Sequence, residues 1–217
     1  MKIKTNRFAV AAAILLALCL VFVAPVGAEE TTVYVSNPEE LKSNISSSTD
    51  NLVIILDNDI TLSYDENNPR IIINKNVTIN LNGHTLKSDT NKRTFRVSTS
   101  GVTVKVIGNG GTVELTNPSS YGFIDIDTAY VTLIVDGGIY KGNTDDGAMF
   151  KTVGLGNPGD DGSKNATLVD IRNVVIDTNA AAISVRTQNL NLRDSVIKLN
   201  GGHYRGTSTA AGFGGSS

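Results

Sequence analysis

The chain has 217 residues, of which 19 are basic and 21 acidic, with two histidines, one cysteine and no tryptophan. A formal net charge of −2 argues against nucleic acid and anionic membrane surfaces as partners, since both select basic chains. One cysteine excludes an internal disulfide, and the lack of tryptophan removes the usual stacking platform for sugar rings, leaving tyrosine and polar groups for any glycan contact.

Residues 1–28 read as an export signal. Lys2, Lys4 and Arg7 form a positive start, Phe8 to Val23 an apolar run, and Val26 and Ala28 a compact-residue site for cleavage before Glu29. That run is about 16 residues, short of the roughly 20 that span a bilayer. Cys19 lies inside this segment behind Leu18, where a lipid-anchor signal needs a small residue. Cleavage leaves 189 residues with 16 basic against 21 acidic. The expectation is a secreted, extracellular or cell-surface protein, free of cysteine, without stable membrane insertion, and large enough for one core.

Residues 29–63 read as an N-terminal cap of strand, helix and strand. Thr32-Val33-Tyr34-Val35 has strand propensity. Ser36 or Asn37 can cap a helix that has Pro38 at its first position and Glu39-Glu40 in its first turn, running to about Ile45. Leu52-Val53-Ile54-Ile55-Leu56 is an apolar strand. Such a unit covers the open end of a solenoid, which otherwise exposes a sheet edge.

Residues 64–200 carry a repeat. Five segments align: Val77 to Gly83, Val102 to Gly108, Val131 to Gly137, Thr167 to Asn173 and Gln188 to Asp194. Alternation of period two marks each as a strand with one buried face. The inward positions are Ile79, Val104, Leu133, Val169 and Leu190, then Leu81, Val106, Val135, Ile171 and Leu192, all aliphatic. The last position is Gly83, Gly108, Gly137, Asn173 or Asp194, residues that tolerate a left-handed backbone, which predicts a recurring turn. The segments start 25, 29, 36 and 21 residues apart. Short apolar runs precede most of them, as at Ile71-Ile72-Ile73, Phe95-Arg96-Val97 and Ile124-Asp125-Ile126. A further strand follows the turn, as at Thr112 to Leu115. One unit of three short strands cannot bury its own inner face, whereas stacked units bury them all. The fold expected is all-β: a right-handed parallel β-helix of about five coils.

The cap and the run Val77-Thr78-Ile79-Asn80-Leu81-Asn82-Gly83-His84-Thr85-Leu86 make residues 31–217 resemble the pectin lyase-like right-handed β-helix superfamily. The resemblance implies either an adhesin-like surface protein or a polysaccharide lyase or hydrolase; it implies a fold rather than one chemistry. Residues 201–217 begin with Gly201-Gly202-His203-Tyr204-Arg205-Gly206, which repeats the pattern of Gly137 to Gly142, and end Gly- and Ser-rich. They read as the start of a further strand in a longer array, so an uncapped C-terminal coil could associate end to end with another chain.

The candidate site residues fall in two groups. Arg96 and Asp125 are outward neighbours one coil apart, readable as a surface ion pair. The alternative resembles calcium-dependent pectate lyases, with Arg96 facing an acidic sugar and Asp125 and Asp127 holding calcium. The second group is Asn143-Thr144-Asp145-Asp146, then Asp160-Asp161 and Gly202-His203, which resembles polygalacturonase motifs; paired carboxylates suit inverting hydrolysis. Asp160-Asp161 sits in a Gly-rich insertion, Gly154 to Lys164, and the basic motif expected after the Gly-His pair is missing, so these read first as solvated turn residues. Thr78, Thr103 and Thr132 form an outward hydroxyl ladder. His84 and His203 lie in different coils, too few ligands for zinc or iron. The reading is a surface-binding scaffold for extracellular polysaccharide or a cell-surface glycan, with no catalytic residue assigned and no cofactor beyond the calcium alternative; the competing reading is a carbohydrate-active enzyme.

Overall fold

The computed structural model describes residues 29–63, 71–89, 93–116, 122–128, 130–142, 148–152, 167–178, 181–184, 189–193 and 196–199. Residues 1–28, read above as an export signal and containing Cys19, the aspartates Asp145, Asp146, Asp160 and Asp161, the Gly154 to Lys164 insertion, and residues 201–217 with His203 lie outside them.

The described chain is strands with a single helix. Strand β1 (Thr31–Val35) leads into helix α1 (Pro38–Ser46). The strands then come in threes: β2 (Leu52–Leu56), β3 (Ile60–Leu62) and β4 (Ile71–Ile73); β5 (Val77–Asn80), β6 (Thr85–Ser88) and β7 (Phe95–Val97); β8 (Thr103–Ile107), β9 (Thr112–Leu115) and β10 (Ile124–Ile126). Next are β11 (Thr132–Asp136), β12 (Ile139–Gly142) and β13 (Ala148–Thr152), then β14 (Leu168–Arg172), β15 (Val175–Thr178) and β16 (Ala181–Ser184), and finally β17 (Asn189–Arg193) and β18 (Val196–Leu199). Each member of a trio joins a different sheet. The seven-stranded sheet runs β1-β2-β5-β8-β11-β14-β17, the six-stranded β3-β6-β9-β12-β15-β18, and the five-stranded β4-β7-β10-β13-β16. All pairings are parallel. Parallel neighbours need a crossover between them; between β1 and β2 it is helix α1, and from β2 onward it is the passage through the other two sheets.

The period-two pattern sets what is inside. Ile79, Leu81, Val104, Val106, Leu133, Val135, Val169 and Ile171 are all buried. Each contributes on the order of 1.5–3 kcal/mol of hydrophobic transfer. Between the sheets, Phe95 meets Phe123 edge-on at 5.3 Å, and Tyr140 meets Phe150 edge-on at 5.2 Å. Burial pushes the Tyr140 phenol's pKa up, and its hydroxyl donates to the Gly137 carbonyl at 3.2 Å.

The strand, helix and strand at the start of the chain form where their residues predict. Asn37 is the N-cap, its Oδ1 accepting from the Glu40 amide at 2.9 Å, while Glu40 reaches back to the Ser36 amide at 2.7 Å. The far end is closed by the Lys75 ammonium, which donates to the Asn44 carbonyl at 3.2 Å and to Ser47. Burial lowers the Lys75 pKa. Strand β2, read as cap, is also a full member of the repeating sheet, with Leu52 opposite Val77.

Two expectations are corrected. First, β5 and β8 are aligned two residues away from the sequence alignment: Val77 lies opposite Val104 and Thr78 opposite Lys105. A two-residue slip keeps every side chain on its face, so the inside–outside pattern could not detect it. Thr103 and Thr132 do stand opposite one another, but Thr78 is not in that ladder. Second, Gly108 does not have a left-handed backbone; Asn109 (φ 43) and Gly110 (φ 79) do, matching Asn82 (φ 50) and Gly83 (φ 83). Gly108 is needed for space, because a Cβ there would overlap the backbone of Gly137 and Gly138 on the next strand trio.

Candidate functional site: the charged face of the five-stranded sheet

Strands β4, β7, β10 and β13 line up Ile72, Arg96, Asp125 and Lys151 in one outward row. Arg96 and Asp125 are therefore backbone neighbours, as expected. Their side chains are differently partnered. Arg96 Nε donates to Asp127 Oδ2 at 2.7 Å, and its Nη2 lies on the same oxygen. Asp125 is held by Arg93, from the turn just before β7, whose Nε donates to Asp125 Oδ2. Arg93 Nη2 also lies 3.9 Å from Asp127 Oδ2.

The expected Arg96–Asp125 surface pair is thus replaced by a cluster of two arginines and two aspartates. Asp125 is 0% exposed, so it is no surface residue although its strand alternation points it outward. Burial raises the Asp125 carboxyl pKa; the charge and hydrogen bond of Arg93, then Lys151, pull it back, and Asp127 adds to the rise. Asp125 Oδ1 has no hydrogen-bond partner among the described residues. Sequence reasoning missed Arg93 because it lies outside the strand; the available signal was a second arginine three residues before Arg96.

This donor set does not fit calcium. The ion takes six to eight oxygens, whereas here two carboxylates face two guanidinium groups and the Lys151 charge. No group of three or more His, Cys, Asp or Glu side chains is placed to hold a metal among the described residues.

The other sheets carry their own charge rows. On the six-stranded sheet, Lys87, Glu114, Lys141, Asp177 and Lys198 are successive register partners, alternating in sign. Opposite charges on adjacent strands favour this register over a slip. On the seven-stranded sheet, Arg172 Nε lies 3.1 Å from Asp136 and its Nη1 3.9 Å from Asp170. Asn173 donates to Asp136 Oδ1 at 2.9 Å. That hydrogen bond, with Arg172 and Lys105, lowers the Asp136 pKa against the opposing effect of burial. Neither row was read from the sequence, because the register distances vary along the chain. His84 lies in the turn before β6, its Nδ1 3.5 Å from Asp59.

No protein-family model, curated protein or solved structure matches the chain. Within the described residues, no helix is long and apolar enough to cross a membrane.

Proposed function

We propose that this chain is an exported, right-handed parallel β-helix of about five coils that serves as a non-catalytic binding scaffold at or outside the cell surface. Its chemistry is that of an adhesin-like member of the pectin lyase-like superfamily it resembles. The ligand class is an extracellular polysaccharide or a cell-surface glycan.

The observation that carries this reading is the state of the Arg93–Asp125–Asp127–Arg96 cluster. Catalysis needs a carboxylate or base that can reach a substrate. Asp125 is fully buried, and Asp127 is engaged by Arg96. What the sheets offer outward is rows of charge at the strand spacing of about 4.8 Å, a surface suited to an extended polar polymer. Arg96 has 31% of its side chain exposed and keeps donors for such a polymer.

The test is retention on immobilised acidic and neutral polysaccharides, with intact ligand recovered on elution. Binding that survives Asp125→Asn and chelation, and weakens on raising salt, is the expected result. Failure to bind any polysaccharide while folded removes the glycan from the proposal.

A further inference from the structure

Strand β1 is the terminal strand of the seven-stranded sheet, with β2 its only strand neighbour among the described residues. Its hydrogen-bonding direction can be read residue by residue. The Thr31 amide donates to the Asn51 carbonyl at 3.2 Å, and the Val35 carbonyl accepts from the Asp57 amide at 2.9 Å. In a strand, the N–H and C=O of one residue point to the same side and alternate along the chain. Thr31, Val33 and Val35 therefore face β2. Thr32 and Tyr34 direct their N–H and C=O groups to the open side.

The open edge carries none of the usual protections. Thr31-Thr32-Val33-Tyr34-Val35 has no charge, proline or glycine, and four of its five residues are β-branched. Thr31 and Thr32 are exposed, and Tyr34 is 65% exposed. Val33 is only partly buried, packed at the end of the core. The helix cannot slide over to cover the edge, because α1 packs on β4 and its last turn is clamped by Lys75.

We propose that the chain pairs with a second copy of itself through β1, edge to edge and antiparallel, about a two-fold axis at Val33. This register uses every free group. Thr32 of one copy lies opposite Tyr34 of the other, and each such pair exchanges both of its hydrogen bonds. Four outward N–H groups thereby meet four outward C=O groups. Val33 meets its own symmetry mate and extends the core across the axis, while Thr32 packs against the Tyr34 ring. Glu30 falls opposite Ser36 rather than another carboxylate, so the acidic residues before β1 do not oppose each other. A closed two-fold pair ends the assembly at a dimer.

Light scattering of the full chain at micromolar concentration tests it, and a dimer is expected. Thr32→Pro removes one outward donor and no bond to β2. Tyr34→Lys sets a charge on the same edge. Each is expected to raise the dimer dissociation constant at least about tenfold, with unchanged far-UV circular dichroism. Tyr34→Lys alone decides the matter where the proline disturbs folding. Val33→Cys in a Cys19→Ala background is expected to form a disulfide-linked dimer under mild oxidation, because directly opposed Cβ atoms lie about 4.5–5.5 Å apart. A monomer, an open series of larger oligomers, or a dimer indifferent to both edge substitutions overturns the proposal.

Discussion

The Arg93 guanidinium closes on the Asp125 carboxylate across adjacent strand trios, 32 residues away in sequence, and leaves Arg96, the register neighbour of Asp125, to pair with Asp127. Removing Arg93 leaves a buried carboxylate without its counter-charge. Arg93→Ala is expected to cost about 3–5 kcal/mol, read as a lower urea midpoint. Arg96→Ala, at a partly exposed site, is expected to cost about 1 kcal/mol or less. Equal losses would reverse the assignment of the principal partner.

Acid titration separates two aspartates by sign. The folded Asp125 carboxyl has its pKa above the usual 3.8, so its stabilising contribution is fully present below 3.8 and is lost as pH rises through the folded value. Asp136 has its pKa below 3.8, so its contribution is present above 3.8 and is lost as pH falls through the folded value. Urea unfolding across the acid range should show Asp125→Asn gaining on the parent chain as pH rises. Asp136→Asn should gain on it as pH falls. Slopes of the same sign in both variants would contradict the electrostatic account.

Two glycines should respond differently to alanine. At Gly108, an added Cβ meets the Gly137 and Gly138 backbone, which cannot move aside without breaking strand pairing. Gly108→Ala is expected to cost more than about 3 kcal/mol or to prevent folding. Gly83 has open space but φ +83, so Gly83→Ala is expected to cost about 1–2 kcal/mol. Thermal unfolding of the pair would show the reverse ranking if turn conformation rather than turn stacking fixed Gly108.

Tyr130 holds φ 58 in the turn before β11 while 45% exposed. A bulky residue in that region carries backbone strain of about 1–3 kcal/mol. Tyr130→Asn, which tolerates the conformation, is expected to raise the melting temperature by a few degrees. A lower melting temperature would mean that the ring packs more than it strains.

The inward face of the repeated strands was legible from the sequence because period two is a local property: the inward residues whose burial is described, from Ile79 to Ile171, are in the core. The start of the helix was legible for a similar reason, since Asn37, Pro38 and Glu40 act within one turn. Register was not. It depends on crossover lengths that vary, so the sequence pattern pairs Val77 with Val102, whereas Val77 stands opposite Val104. The charge rows depend on register and were lost with it. Arg93 was missed because it reaches its carboxylate from a turn, where strand alternation gives no direction. The burial of Asp125 was illegible because alternation points it outward and only tertiary cover hides it.

On the proposed binding scaffold, the Arg93–Asp125–Asp127–Arg96 cluster holds the sheet together and does not catalyse. The direct measurement is incubation of the folded protein with polygalacturonate and other acidic and neutral polysaccharides, with and without calcium, following new unsaturated ends and new reducing ends. No product of either kind, together with retention on polysaccharide, is the expected result. Calcium-dependent unsaturated ends that disappear in Arg96→Ala would contradict it and make this face an active site.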